Sequence, residues 1–305
     1  MSFRAKAAIS VLRLVKRLGL IPKNGDIDSE IAKAKEFNKK HPYKEPSDHK
    51  ALYSTVHVGE IPVLMMKQHG ATHKKAILFL HGGGNQDAWK PEISFARNYG
   101  KQTGADVIYP IYPPFTEVPV TATADMIYEV YRFAVRKYDV GNIAVVGGSY
   151  GGLLAMQLIT WINRNGNTVD MPGLLIMNSP FAFPETAKEW ALAEAYEEND
   201  LMVSDGAFRL MMEGVMRADP NTPAHAMYPD KMDFHHAPET YIFYAEGEAC
   251  SCVADAIEKT YARDGAVLHM HREPGMMHCY ACAPVFPESR RDYNKQLALI
   301  SGKER

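Results

Sequence analysis

Short apolar runs alternate with longer stretches in which apolar residues return at helical spacing, and this alternation sets most of the chain's architecture. Ala76–Leu80, Asp106–Tyr109, Ile143–Val146, Gly173–Asn178, Tyr241–Tyr244 and Val267–His271 read as buried strands. Between and after them, Pro91–Gln102, Thr121–Tyr138, Leu153–Ile159, Val253–Arg263 and Pro287–Ile300 read as helices. Ahead of the series, Leu52–Val58 and Ile61–Met66 alternate in polarity around Gly59-Glu60 and predict a hairpin. Strand–helix alternation of this kind predicts an α/β fold with a mostly parallel sheet covered by helices. The pattern breaks from about Pro180 to Pro238 into helical, Met-rich sequence with prolines, an insertion placed to roof a site.

The first residues carry a different pattern. Phe3, Ala7, Val11, Leu14, Val15 and Leu18 fall near helical spacing, with Arg4, Lys6, Arg13, Lys16 and Arg17 between them. Such a helix either lies on a membrane surface or packs over the protein's own cleft, and packing is the favoured expectation. Pro22 and Asn24-Gly25 end it. Asp26 or Asp28 then caps a second helix carrying Ile27, Ile31, Ala34 and Phe37, and His41-Pro42 with Glu45-Pro46 forms a linker.

Composition narrows the classes. With 305 residues and 46% hydrophobic content, the chain can bury a full core. A net charge of -2 offers no basic field for nucleic acid. No apolar run approaches a membrane span, and the charged N-terminus does not read as a signal peptide. Four cysteines without an export signal predict a reducing, cytoplasmic setting.

The chemistry centres on Gly147-Gly148-Ser149-Tyr150-Gly151-Gly152, between an apolar strand and an apolar helix. Gly-x-Ser-x-Gly in that context is a turn that lifts a serine hydroxyl above a sheet and makes Ser149 the candidate nucleophile. A serine needs a base, and His278 stands just beyond the last strand, where strand ends converge on one crevice. An acid orienting that histidine is expected in the loop Ala245–Cys252 or at Asp255. His81-Gly82-Gly83-Gly84 follows a strand and lacks the Lys and Ser/Thr of a phosphate loop. The backbone N–H groups of Gly82, Gly83 and Tyr150 therefore form a candidate oxyanion hole.

With these motifs in place, the chain resembles the α/β-hydrolase fold, and within it the hormone-sensitive-lipase-like esterases, which carry His-Gly-Gly-Gly. The resemblance runs from about residue 50 to the C-terminus. It implies one α/β-hydrolase domain, a cap drawn from 1–50 and 180–238, and hydrolysis of carboxylic esters without a cofactor. No metal is expected either, since His278 cannot both ligate zinc through its catalytic nitrogen and accept the Ser149 proton. Two departures stand out. The family's elbow is Gly-Asp-Ser-Ala-Gly-Gly, whereas Gly148 and bulky Tyr150 stand here, which points to short acyl groups. In the acid loop, a count from Gly247 gives Cys250 and a count from Ala245 gives Glu248. Glu248 has the right chemistry and is chosen, with Glu246 and Asp255 in reserve.

Cys250 and Cys252 share one of these loops, and Cys279 and Cys282 follow His278 in the other. Zinc or a disulfide is conceivable there, but small buried residues are the simpler expectation. The expected reaction is ester hydrolysis through an acyl-enzyme. An amidase with the same triad, or a binding protein on a hydrolase scaffold, stands as the alternative. Oligomeric state and natural substrate are not legible.

Overall fold

The computed structural model describes residues 1–18, 25–45, 52–68, 75–84, 90–198, 200–203 and 206–303. Pro22, Asn24 and Pro46, used above to bound the first helix and the linker, lie outside these residues. Eight strands form one sheet: β1 (Leu52–Val58), β2 (Ile61–Lys67), β3 (Ala76–Leu80), β4 (Asp106–Pro110), β5 (Ile143–Gly148), β6 (Leu174–Asn178), β7 (Thr240–Ala245) and β8 (Leu268–Glu273). Their spatial order is β1-β2-β4-β3-β5-β6-β7-β8. The pairs β1/β2 and β2/β4 are antiparallel and all others parallel, so the sheet is mostly parallel, as the alternation predicts.

Around the sheet lie α3 (Lys90–Thr103), α4 (Val120–Val135), α5 (Tyr150–Arg164), α8 (Ala254–Arg263) and α9 (Pro287–Ser301). The first residues form α1 (Phe3–Arg17) and α2 (Ile27–Lys40), and the insertion forms α6 (Ala187–Glu197) and α7 (Ala207–Ala218). The parallel strands read as near-continuous apolar runs because both faces are covered. Along β3, Leu78 and Leu80 join the core layer under α4 and α5, while Ile77 and Phe79 join the layer shared with α3 and α9. Val145 and Val146 of β5 divide in the same way, which is the two-residue period of a strand.

The strand order reverses at β3. The chain leaves β3 for β4 on one side and returns to β5 on the other, and this kind of switch point opens a crevice at the carboxyl ends of strands. Register keeps those ends level: Leu80 pairs with Gly147, Gly148 with Asn178, Asn178 with Phe243, and Ala245 with Glu273. The loops after β3, β5, β7 and β8 therefore open on one edge.

Helix α1 departs from expectation. Ser2 caps it, and Ala5 and Ile9 are buried in the layer containing Met276 and Tyr280. The apolar residues expected to cover a cleft point outward instead: Phe3 is 86% exposed, Val11 61%, Leu14 56% and Leu18 63%. The helix docks through Ala5 and Ile9 because the Ser2 and Lys16 ends are both tied to the body, which fixes its roll. Helix α2 follows the expected pattern, with the Asp26 carboxylate accepting the Ser29 N–H at 2.8 Å.

Candidate active site

Ser149 sits between β5 and α5 with φ 52°, a strained conformation for a residue with a Cβ. The surrounding glycines are required by close approach rather than by positive φ. A Cβ on Gly147 would lie 2.4 Å from the Gly151 carbonyl oxygen, and one on Gly151 would lie 2.1 Å from the Leu80 carbonyl oxygen. Gly152 would meet Pro180 at 2.6 Å. The strand–turn–helix passage is thus so tight that side chains are excluded on three sides of the serine. The Ser149 N–H donates to the Asn178 carbonyl at 2.9 Å, which ties the elbow to the end of β6.

Past β7, Gly247 takes φ 73° and turns the loop so that Glu248 folds inward. Glu248 is 3% exposed. Its Oε2 lies 2.7 Å from His278 Nδ1, and its Oε1 accepts the Ala245 N–H at 2.8 Å and the Ser179 hydroxyl at 2.7 Å. The other carboxylates of this region face solvent. Glu246 is exposed, and Asp255 is exposed and paired with Arg272 at 3.0 Å. His278 comes from the turn after β8 and is 7% exposed. Burial disfavours its imidazolium, but the pKa is held above the ordinary value, with the Glu248 carboxylate the charged partner at 2.7 Å.

Glu248 and His278 are in direct contact, and Ser149 meets them through β6. The Asn178 carbonyl that receives the Ser149 N–H also accepts from Cys279 Sγ at 3.6 Å. Next along the chain, Ser179 accepts the Cys279 N–H at 2.8 Å while donating to Glu248. Asn178 and Ser179 escaped the reading of the sequence because nothing in their spacing marks them; only strand pairing brings them to the site.

On the other side of Ser149 lies the glycine loop. A Cβ on Gly82 would lie 3.4 Å from Ser149 Cβ, so the loop backbone passes directly against the serine. Gly83 takes φ 66°. Gly84 is hemmed in, since a Cβ there would come within 2.8 Å of both Phe115 and Tyr150. His81 anchors the loop from beneath. It stacks on Tyr112 with ring centroids 4.0 Å apart, its Nδ1 lies 2.9 Å from the Gly82 carbonyl, and burial pushes its pKa down to about 4. A neutral, buried ring fits a scaffolding part.

The Tyr150 ring is buried between Tyr112 and Phe115 and forms part of a cavity wall beside Ser149. That cavity measures about 240 Å³; Gly83, Gly84 and Phe115 line its floor, and Ile27, Ile31 and Met211 its roof. Residues of α2 and α7 thus face the serine across an apolar space.

One titratable group here was not anticipated. Glu92, in the first turn of α3, brings its carboxyl to Gly82: a Cβ on that glycine would lie 3.5 Å from Glu92 Oε1. Burial raises its pKa to about 7, partly offset by the Gly82 backbone and by His278. The helical pattern of 91–102 marks Glu92 only as a polar position near a helix start.

The four cysteines are free thiols, Cys250 and Cys252 buried and the other two half-buried. Burial pushes the Cys250 thiol up to about 12. A hydrogen bond with Cys282 and burial hold Cys279 well above its usual range. Two three-residue clusters of potential metal ligands occur among the described residues, Asp233/His235/Asp264 and His271/Glu273/Asp292, and neither contains a cysteine or a residue of the site above.

The sequence profile of the alpha/beta hydrolase fold family matches residues 77–282, from β3 through the glycine loop and the elbow to the turn after His278. The chain belongs to the α/β-hydrolase fold family. Among curated proteins, this α/β hydrolase is similar to a "triacylglycerol lipase" of Mycobacterium tuberculosis (strain ATCC 25618 / H37Rv). The two are 31% identical over 133 residues, or 42% of this chain. The match spans 29% of that relative's length. Among solved structures, it is similar to EstE5 soaked with p-nitrophenyl butyrate (TM-score 0.78, 19% identity, 99% of each chain). It is also similar to an esterase from the bacterial hormone-sensitive lipase family, with TM-score 0.78 and 19% identity over 99% of this chain and 98% of that one. At these identities the likeness establishes the fold. No helix among the described residues is long and apolar enough to cross a membrane.

Proposed function

We propose that this α/β hydrolase is a serine carboxylesterase acting on short-acyl esters through an acyl-enzyme. The observation that carries the reading is the Glu248–His278 contact at 2.7 Å, formed on the strand edge where Ser149 stands in its strained elbow. The relatives named as esterases and a lipase point the same way.

In this reading Ser149 Oγ attacks the ester carbonyl carbon while His278 Nε2 takes its proton. The Glu248 carboxylate accepts the Nδ1–H, fixing the tautomer that leaves Nε2 free and stabilising the imidazolium as it forms. The N–H groups of Gly82, Gly83 and Tyr150 receive the negative charge on the carbonyl oxygen. His278 then protonates the departing alcohol. In the second half it deprotonates water, which attacks the acyl carbon and releases the acid and Ser149. The group set needs no metal or cofactor. Helices of 1–50 and 180–238 serve as the cap of a single hydrolase domain, and the cavity of about 240 Å³ beneath them suits a small acyl group. The reduced thiols accord with a cytoplasmic setting.

Hydrolysis of p-nitrophenyl butyrate, with Ser149→Ala as the control, tests the proposal. The variant should fold normally and lose ~10⁴-fold or more in kcat. Activity above a tenth of the parent's, or none in the folded parent, rejects it.

A further inference from the structure

Ten large apolar side chains are exposed among the described residues, and six of them belong to the first eighteen: Met1, Phe3, Val11, Leu12, Leu14 and Leu18. Phe3, Val11, Leu14 and Leu18 form a stripe along α1 at the helical repeat of ~3.6 residues per turn. That stripe lies opposite the buried Ala5 and Ile9. The outward aim is built in. At one end the Ser2 N–H and hydroxyl both bond the Glu288 carboxylate. At the other, Lys16 Nζ donates to the carbonyls of Glu197 and Asp200. With both ends held, the helix cannot roll its apolar face inward.

Charge indicates what covers the stripe. Five of the fifteen residues of α1 are basic and none is acidic, in a chain of net charge -2. Arg4 and Lys6 are exposed and Arg13 is half-buried. A second copy of the same face would bring like charges together, which opposes self-association through it. An apolar stripe flanked by cations matches a surface that is oily within and anionic at its rim. The Lys16 end of α1 is tied to the segment that lines the cavity: Asp200, whose carbonyl receives Lys16, is followed by Leu201 and Met202, and Met202 is 60% exposed and lines the cavity beside Ser149.

We propose that α1 is a docking surface for an anionic lipid bilayer, lying in the plane of the interface with Phe3, Val11, Leu14 and Leu18 inserted.

Co-sedimentation of the full chain with phosphatidylcholine vesicles, with and without roughly one-third phosphatidylglycerol, tests the proposal. Three cations near an anionic surface favour binding on the order of a hundredfold, so the anionic vesicles should be bound far more strongly and added salt should release the protein. Val11→Asp with Leu14→Asp should abolish sedimentation while the chain stays folded by circular dichroism. Lys6→Glu, at an exposed position, gives a second variant that should weaken binding without touching the packed face. Equal binding to both vesicles, no binding to either, or unchanged binding of the variants would overturn the proposal. A dimer in sedimentation velocity that is lost in the variants, without vesicle binding, would assign the stripe to a second copy and overturn it too. No ester is hydrolysed in these measurements, so their outcome stands apart from the proposed reaction.

Discussion

Ser179 joins Glu248 to the histidine loop: its hydroxyl donates to Glu248 Oε1 at 2.7 Å and accepts the Cys279 N–H at 2.8 Å. One small side chain at the end of β6 therefore aims the carboxylate and fixes the backbone next to His278. Its own φ of 49° is unusual for a serine and keeps the hydroxyl in that position.

Ser179→Ala removes a donor to the carboxylate and strands a backbone N–H. A buried donor left without a partner costs ~1–3 kcal/mol, so the variant should melt several degrees lower. Its kcat should fall ~10-fold, because Glu248 keeps only the Ala245 N–H to orient it. Thermal denaturation and ester kinetics on the same preparation check both, and an unchanged kcat would show that Ser179 does not aim the acid.

Glu92 gives a pH prediction with a definite sign. Its carboxyl holds a proton in the fold up to about pH 7, against an ordinary value of 4.5. Between those values the folded protein binds a proton that the unfolded chain has lost, so this group lowers stability as pH rises through that window. Glu92→Gln removes the effect. Relative to the parent, its Tm should gain a few degrees more at pH 8 than at pH 5. An equal difference at the two pH values would mean that the carboxyl is not held neutral beside Gly82.

Cavity size gives a third. Butyryl and acetyl esters should be turned over with higher kcat/KM than decanoyl esters, since Tyr150 and Phe115 are packed against Gly84 and cannot withdraw from the floor. The roof is more adaptable, and Met211→Ala should raise kcat/KM for the longer chain severalfold by opening it. A parent that prefers decanoyl esters would contradict the small-acyl reading.

The strands and helices were readable because apolar period and glycine punctuation are local properties. The Leu52–Val58 strand and the turn at Gly59-Glu60 needed nothing beyond alternation. The choice of Glu248 over Cys250 turns on a register of two residues, counted from Ala245 or from Gly247. Local pattern weighs little there, and it is the αL turn at Gly247 that brings Glu248 to His278. Asn178, Ser179 and Glu92 were silent because their partners lie across strand pairs or on another layer. The outward face of α1 was misjudged for a related reason. Amphipathic spacing fixes that two faces exist, but which one docks is set by Glu288, Glu197 and Asp200, far along the chain.

The claim on which the account rests is that Glu248 orients His278 for attack by Ser149, and kcat of Glu248→Gln measures it most directly. The amide keeps the shape of the side chain but can present an N–H to Nδ1, stabilising the wrong tautomer. Glu246→Gln and Asp255→Asn serve as controls and should stay within ~10-fold of the parent, because both carboxylates face solvent. With folding checked by circular dichroism, Glu248→Gln should lose ~10⁴-fold in kcat on p-nitrophenyl butyrate. A folded Glu248→Gln that keeps kcat within ~10-fold of the parent would contradict it.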